Sequence, residues 1–499
     1  MGSLVGADTR AVRAGAVSLV AIVLLSLLIV VMAADRPSLL SPTTHYAFYP
    51  RWMAGPLGGL WPSLTGNPTT LRWIFSGSLV LMYAGYVLVL RSANRMPARW
   101  LVGSILALHA IFLIAPPLAL TDVFNYINYG RMGVIHHLNP YTTIPISEPH
   151  SDPAFILSNW HQLLSPYGPL FTLVTFAVVP LGVAGSFWAL KLILALASLA
   201  TILLVWKCAR ILGRDPRAAI ALVGLNPIVL VWGLGGDHND FLMVVLIMLG
   251  VYLLLRGHAA ASSNLAGDER AASERDTAGL AARVRGWLVP LSLSELGAGG
   301  AFVMATAMKA SGGIMLPIVA VALLRTPRRL VQVLIGMVLA GLIAGAASLL
   351  AFGLHIPDLS TQSRLVTNES VPNLIGLVVG QGGESAGVRA VTSVVLAISV
   401  IICCRIAWRR RDVITAAGWA SVALVVTLSW VLPWYVLWIL PLAALSSSLR
   451  LRKAALIVGV YLIISWAPAS GLVFNAIGFH PENTALGRLH HRYVRELLN

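Results

Sequence analysis

Apolar stretches able to cross a hydrocarbon core of about 30 Å recur along the chain, at 14–33, 71–90, 100–120, 185–206, 218–234, 330–352, 386–404, 413–431 and 453–474. Shorter ones lie at 167–183, 241–255, 298–308, 311–324 and 435–447. The pattern predicts an all-α, polytopic transmembrane bundle with about 13 membrane helices, between roughly 11 and 14. Two stretches, 167–183 and 185–206, fall where one net crossing is needed. The first has Pro169 near its start and Pro180 near its end. It is expected to be a re-entrant or partial helix shielded by protein or water.

Composition removes the soluble classes. Of 499 residues 58% are hydrophobic and only 11% charged, whereas a soluble domain carries about 25% charged residues. The first apolar stretch follows Arg10 and Arg13 and is longer than a signal-peptide core, so it reads as an uncleaved anchor with a cytoplasmic N-terminus. A net charge of +16 could suggest nucleic acid, but the cations gather in short loops. These are Arg91/Arg95/Arg99, Lys207/Arg210/Arg214/Arg217, Arg325/Arg328/Arg329, Arg405/Arg409/Arg410/Arg411 and Arg450/Arg452/Lys453. That is the positive-inside signature of cytoplasmic loops, and it makes membrane lipid, not nucleic acid, the surrounding partner. The cysteines Cys208, Cys403 and Cys404 have no framework or metal spacing.

With those loops inside, 34–70, 121–165, 234–240, the 309–311 turn and 353–385 face outward, and every polar cluster shares one side of the plasma membrane. The chain reads as one integral-membrane domain, 1–499, with an outer catalytic loop at 121–165 and a second outer loop at 353–385. The stretch 257–286 mixes Ala, Ser, Asp, Glu and Arg without apolar periodicity and is expected to be a flexible cytoplasmic loop. The C-terminal tail 475–499 brings Arg488, Arg492 and Arg495 to the nominally outer side, against the charge rule.

Three polar groups stand where hydrophobic segments end. After Pro116-Pro117, Val123, Ile127, Val134 and Leu138 fall on one helical stripe and Asp122, Asn125, Tyr129 and His136 on the other. This predicts a helix lying on the membrane surface, capped by Thr121 and stopped by Asn139-Pro140. Asp122 in its first turn lies beside the positive end of the helix dipole, which suits a carboxylate that must take a proton. The second group is Gly235-Gly236-Asp237-His238-Asn239-Asp240. Capping explains one of its polar residues; the others could hydrogen-bond a polyhydroxyl substrate or, with Asp122, hold a hard cation. The third is Lys309, between two short apolar runs and one of four lysines against 31 arginines. It could snorkel to the interface or hold a phosphate, with Arg131 and Arg364 as guanidinium partners. Trp434, among Trp430, Tyr435 and Trp438, fits an interfacial belt or a sugar-stacking face.

Several blocks occur together and in order: Thr121-Asp122 through Arg131, Leu138-Asn-Pro-Tyr141, Ser165-Pro-Tyr-Gly-Pro-Leu-Phe171, Leu225-Asn-Pro227 with Gly235 to Asp240, Lys309-Ala-Ser-Gly-Gly-Ile-Met-Leu-Pro317, and Leu432-Pro-Trp-Tyr435. In this combination the chain resembles the actinobacterial polyprenol-phosphate-mannose-dependent α-1,6-mannosyltransferases of lipomannan and lipoarabinomannan synthesis. The resemblance implies a GT-C-like fold whose first large outer loop presents a catalytic aspartate, here Asp122. It also implies a polyprenyl-phosphate sugar donor and a lipid-linked glycan acceptor. On that reading Lys309, Arg131 and Arg364 hold the donor phosphate, while Asn125, Tyr129, His136, Asp237, His238, Asn239, Asp240 and Trp434 contact sugar or acceptor. No metal or other cofactor is expected, because side-chain cations can hold a monophosphate. The competing class is a lipid or glycan transporter or flippase, although no internal repeat of the kind common in transporters stands out.

Overall fold

The structure is a computed structural model and describes residues 2–35, 51–61, 67–118, 122–272 and 292–498. Over those residues the regular elements are all helices. Six are long and apolar enough to cross a membrane: Thr9–Asp35, Pro68–Arg95, Pro169–Ile211, Asp240–His258, Pro327–Phe352 and Ala386–Arg410. A seventh is added if Leu449–Trp466 and Ser470–Ala476, bent by 74°, count as one span. The other apolar stretches form shorter helices, among them Ala98–Leu113, Leu293–Met308 and Val413–Thr427.

Some apolar stretches are divided, since a hydropathy count ignores what interrupts a helix. The stretch 218–234 is α-helical only over Pro216–Gly224. Pro227 disfavours helical geometry at Asn226, and the Asn226 side-chain oxygen accepts from the Ile228 and Val229 amides at 3.0 and 3.3 Å. The chain then resumes as a π-helix over Val229–Leu234. The stretch expected to be a re-entrant or partial helix is continuous with its neighbour. Pro169–Val178 passes through a short turn into Gly182–Ile211, and the pair forms one run of 43 residues.

The helix Asp122–Val134 exists, but it is not a surface helix. Asn125, Asn128 and Tyr129 are as buried as Val123 and Ile127, because it packs against both Pro169–Val178 and Gly182–Ile211. It ends before Asn139-Pro140, with His137 in the left-handed region at φ 54°. Thr121, its expected cap, lies outside the described residues. The segment expected to loop from 257 begins as helix, since Asp240–Ala272 continues unbroken; residues 273–291 lie outside the described residues.

The basic loops meet at one end of the bundle. Arg214 donates to the Leu445 carbonyl, Arg217 Nη1 to the Met96 carbonyl at 3.3 Å, and Arg329 Nη2 to the Leu254 carbonyl at 2.9 Å. Glu295, in the first turn of Leu293–Met308, pairs with Arg329 there at 2.7 Å. Lys309 caps the far end of the same helix. Two glycines permit the close approaches that assemble this far end. A Cβ on Gly168 would lie 2.1 Å from the Ala307 carbonyl, and the Gly168 amide donates to the Met308 carbonyl at 3.2 Å. A Cβ on Gly235 would strike the Val231 carbonyl at 2.3 Å, while its own carbonyl accepts from the Leu118 amide at 2.6 Å.

Candidate active site

Asp122, Asn239 and Lys309, drawn from three separate segments, line one cavity at that end. The walls are aromatic: Tyr126, Tyr129, Trp160, Tyr167, Trp430, Trp434 and Tyr435. Gln362 and Leu365 close it from the 353–385 loop. An apolar, aromatic cleft with a few converging polar groups is the usual form of a ligand site.

Each charged group in it has a close polar neighbour. Asp122 is 15% exposed, and its Oδ2 lies 3.2 Å from His238 Nδ1 without the alignment of a hydrogen bond. The His238 ring lies parallel to the Trp434 indole, with centroids 3.3 Å apart. Lys309 Nζ contacts both Asp240 oxygens at 2.9 and 2.8 Å and sits over the Tyr435 and Trp438 rings at 5.2 and 5.6 Å. Trp438 Nε1 donates to Asp240 Oδ1 at 2.6 Å, so the carboxylate that holds the lysine is itself held. Behind them Lys191 donates to Asp237 at 2.9 and 3.2 Å. Asp237 adopts φ 58°, the left-handed region that short polar side chains tolerate best after glycine, and this turns the chain between His238 and the π-helix. Asp237 and Asp240 therefore face lysines and do not converge with Asp122 on a cation. Among the described residues no group of three or more His, Cys, Asp or Glu could hold a metal ion.

Asn239 differs from its neighbours. It is buried, lines the cavity, and neither its side-chain oxygen nor its nitrogen has a hydrogen-bond partner among the described residues. An unsatisfied buried amide costs about 1–3 kcal/mol, and a bound ligand offering both a donor and an acceptor would remove that cost. Asn125 and Tyr129 line the cavity but are committed to its wall. Asn125 Oδ1 accepts from the Asn159 and Trp160 amides at 3.1 and 3.4 Å, and the Tyr129 hydroxyl donates to the Leu163 carbonyl at 2.6 Å.

Arg131, His136 and Arg364 do not join this group. Arg131 forks onto Asp152 at 2.8 and 2.9 Å, and His136 Nε2 takes the same carboxylate at 2.7 Å. None of the three lines the cavity. Burial alone would raise the Asp152 carboxyl, but hydrogen bonds from Arg131, the Ala154 amide and His136 hold it below the ordinary range. Arg364 is exposed, one residue beyond the wall. Beside this clamp, burial pushes Glu148 up to about 8, and neither of its oxygens finds an aligned donor. A raised carboxyl favours folding while protonated and loses that contribution as pH climbs through its folded value. Glu148→Gln is therefore expected to raise the melting temperature at pH 8, with the gain shrinking towards pH 5; thermal unfolding at the two pH values checks it.

Sequence reading passed over Lys191, which sits inside the apolar stretch 185–206. A charge at that depth costs on the order of 3 kcal/mol, and that alone could have marked it. Tyr126 and Gln362 carried no comparable signal.

Residues 12–325 match the family described as alpha-(1->6)-mannopyranosyltransferase, N-terminal domain, and residues 369–485 match the MptB C-terminal domain. An alpha-(1->6)-mannopyranosyltransferase of Mycobacterium tuberculosis is 28% identical over 404 residues, covering 70% of this chain and 66% of its own. The alpha-(1->6)-mannopyranosyltransferase A of the same species is 29% identical over 376 residues, with the same 70% and 66% coverage. For alpha-(1->6)-mannopyranosyltransferase B of Corynebacterium glutamicum the values are 25% over 360 residues, 68% and 58%. The chain thus spans just under two thirds of the length of the mycobacterial relatives. No solved structure matches. With more than half of its length inside the first match, the chain belongs to the alpha-(1->6)-mannopyranosyltransferase family.

Proposed function

We propose that this protein transfers mannose from a polyprenyl-phosphate donor to a lipid-anchored glycan, forming an α-1,6 linkage with inversion at the outer face of the plasma membrane. The observation that carries the reading is the shared cavity of Asp122, Asn239 and Lys309, which joins a proton acceptor, an unsatisfied amide and a cation. A polyprenyl phosphate is already a good leaving group, so the chemistry needs one base and one charge to receive the phosphate. The acceptor hydroxyl oxygen attacks the anomeric carbon and gives its proton to Asp122. The bond from that carbon to the phosphate oxygen breaks, and its electron pair leaves with the phosphate towards Lys309. His238 steadies one Asp122 oxygen and leaves the other for the hydroxyl. Asn239 hydrogen-bonds the hexose, and the aromatic walls receive its apolar faces.

Phosphate entry must compete with the Lys309–Asp240 pair. Lys309→Gln is expected to lower kcat/KM for the donor by about 10²–10³-fold. Because it also strands a buried Asp240, the double variant Asp240→Asn/Lys309→Gln is the cleaner measurement: abundance recovers, activity stays low. The function itself is tested with membranes holding the protein, an oligomannoside acceptor and synthetic polyprenyl-phosphate mannose. Expected is an extended product cleaved by an α-1,6-specific mannosidase. Extension from a nucleotide sugar, with none from the lipid donor, would overturn the reading.

A further inference from the structure

Lys309 is the one cation among the described residues that line the cavity. Its side chain is 21% exposed, whereas the Asp240 side chain behind it is 1% exposed and does not line the cavity. Asp240 is fixed from three directions. Lys309 Nζ spans its two oxygens, and the Trp438 indole donates to one of them. The residue also opens the helix Asp240–Ala272, whose positive end favours an ionised carboxylate. Lys309 is the mobile member of the pair: it lies over the ring of Tyr435, a wall residue, and its flexible stem lets the ammonium turn from Asp240 into the cavity. An entering anion therefore meets a lysine already neutralised from behind, while Asp122 adds a negative charge in front.

The transfer set out above increases the charge on the phosphate. The donor is a phosphate diester with a single negative charge. The phosphate that leaves is a monoester, which carries about −1.5 to −2 at pH 7. A lone lysine would hold this product more tightly than the donor, since Coulomb attraction grows with charge, and each turnover would end with a trapped product. A fixed carboxylate beside the lysine offsets that trap, because it repels the dianion more than the monoanion.

We propose that Asp240 is a product-release residue, an internal anion that retakes Lys309 once the bond to the sugar has broken and so displaces the polyprenyl phosphate. The inference rests on the mannosyl-transfer reading above. Asp240 acts through Lys309 as a positioning residue and touches no reacting atom. Its role accounts for a phosphate-binding lysine whose charge is already matched in the empty cavity.

The test uses the full-length protein in neutral maltoside micelles at pH 8, with two probes that compete with the lipid donor. One is citronellyl phosphate, a dianion at that pH, and the other is its methyl ester, a monoanion. The wild type is expected to bind the two with inhibition constants within about threefold of each other, because Asp240 cancels the gain from the second charge. In Asp240→Asn, Trp438 keeps an acceptor and Lys309 loses its rival. There the dianion is expected to bind about tenfold more tightly than the monoanion, the scale of one charge-assisted hydrogen bond. Donor KM falls as well, and product forms in a fast first turnover followed by a slower steady state. Loosened packing alone would raise KM and give no such burst. A wild type that itself prefers the dianion tenfold overturns the assignment, whether or not the variant folds. Unchanged constants in folded Asp240→Asn overturn it too. If the wild type extends no oligomannoside from the lipid donor, the mannosyl-transfer reading fails and the release role with it, whereas transfer accompanied by either contrary result removes the role of Asp240 alone.

Discussion

Replacing Asp122 by asparagine is expected to lower the proposed mannosyl transfer by about 10²–10⁴-fold, the usual worth of a positioned general base, and to leave protein abundance in the membrane unchanged. The substitution keeps shape and removes only the ability to accept a proton. Asp122 is partly exposed to the cavity and touches His238 without an aligned hydrogen bond, so little folding energy depends on its charge. Membranes carrying either form, matched for protein amount and given the synthetic lipid donor and an oligomannoside, provide the comparison. Equal rates would remove Asp122 from the chemistry.

Lys191→Met has the largest expected effect on stability. Lys191 and Asp237 are each 1% exposed on their side chains and contact each other at 2.9 Å. Removing one partner strands the other as a buried charge, which costs about 3–5 kcal/mol. The expected outcome is a sharp loss of folded protein in the membrane and a lower melting temperature in detergent. Lys191→Met/Asp237→Asn should recover much of that loss, because asparagine is neutral and accepts the left-handed backbone found at Asp237. Activity then reports whether the pair also holds His238 under Asp122. A single variant as stable as the wild type would mean that the two charges are not buried against each other.

Helical class, membrane residence and the three polar segments were legible because each rests on a strong local signal. A run of twenty apolar residues has few other readings, and Asp122 or Lys309 beside such a run must be explained. The Asp122 helix was legible in extent but not in setting. Its stripe of Val123 and Ile127 describes one buried face, and nothing in the periodicity announces that Asn125, Asn128 and Tyr129 are buried on the other. The setting of Arg131 was hidden for the same reason: its partner Asp152 lies 21 residues away and is brought close only by the folded loop. The breaks within apolar stretches were not legible where hydropathy runs through Asn226-Pro227 and through the short turn Val179–Leu181. The packing of the tail could not be read at all, since the link from Leu497 to Leu163 and Leu365 joins three distant parts of the chain.

The most direct test is a structure with an intact polyprenyl-phosphate sugar, obtained with Asp122→Asn so that the donor survives. The expected density has the phosphate at Lys309, the hexose against Asn239 and the aromatic walls, and the anomeric carbon open to an acceptor oxygen beside residue 122. Density for the sugar phosphate outside this cavity, or at the basic end of the bundle near Arg217 and Arg329, would contradict the proposed reaction.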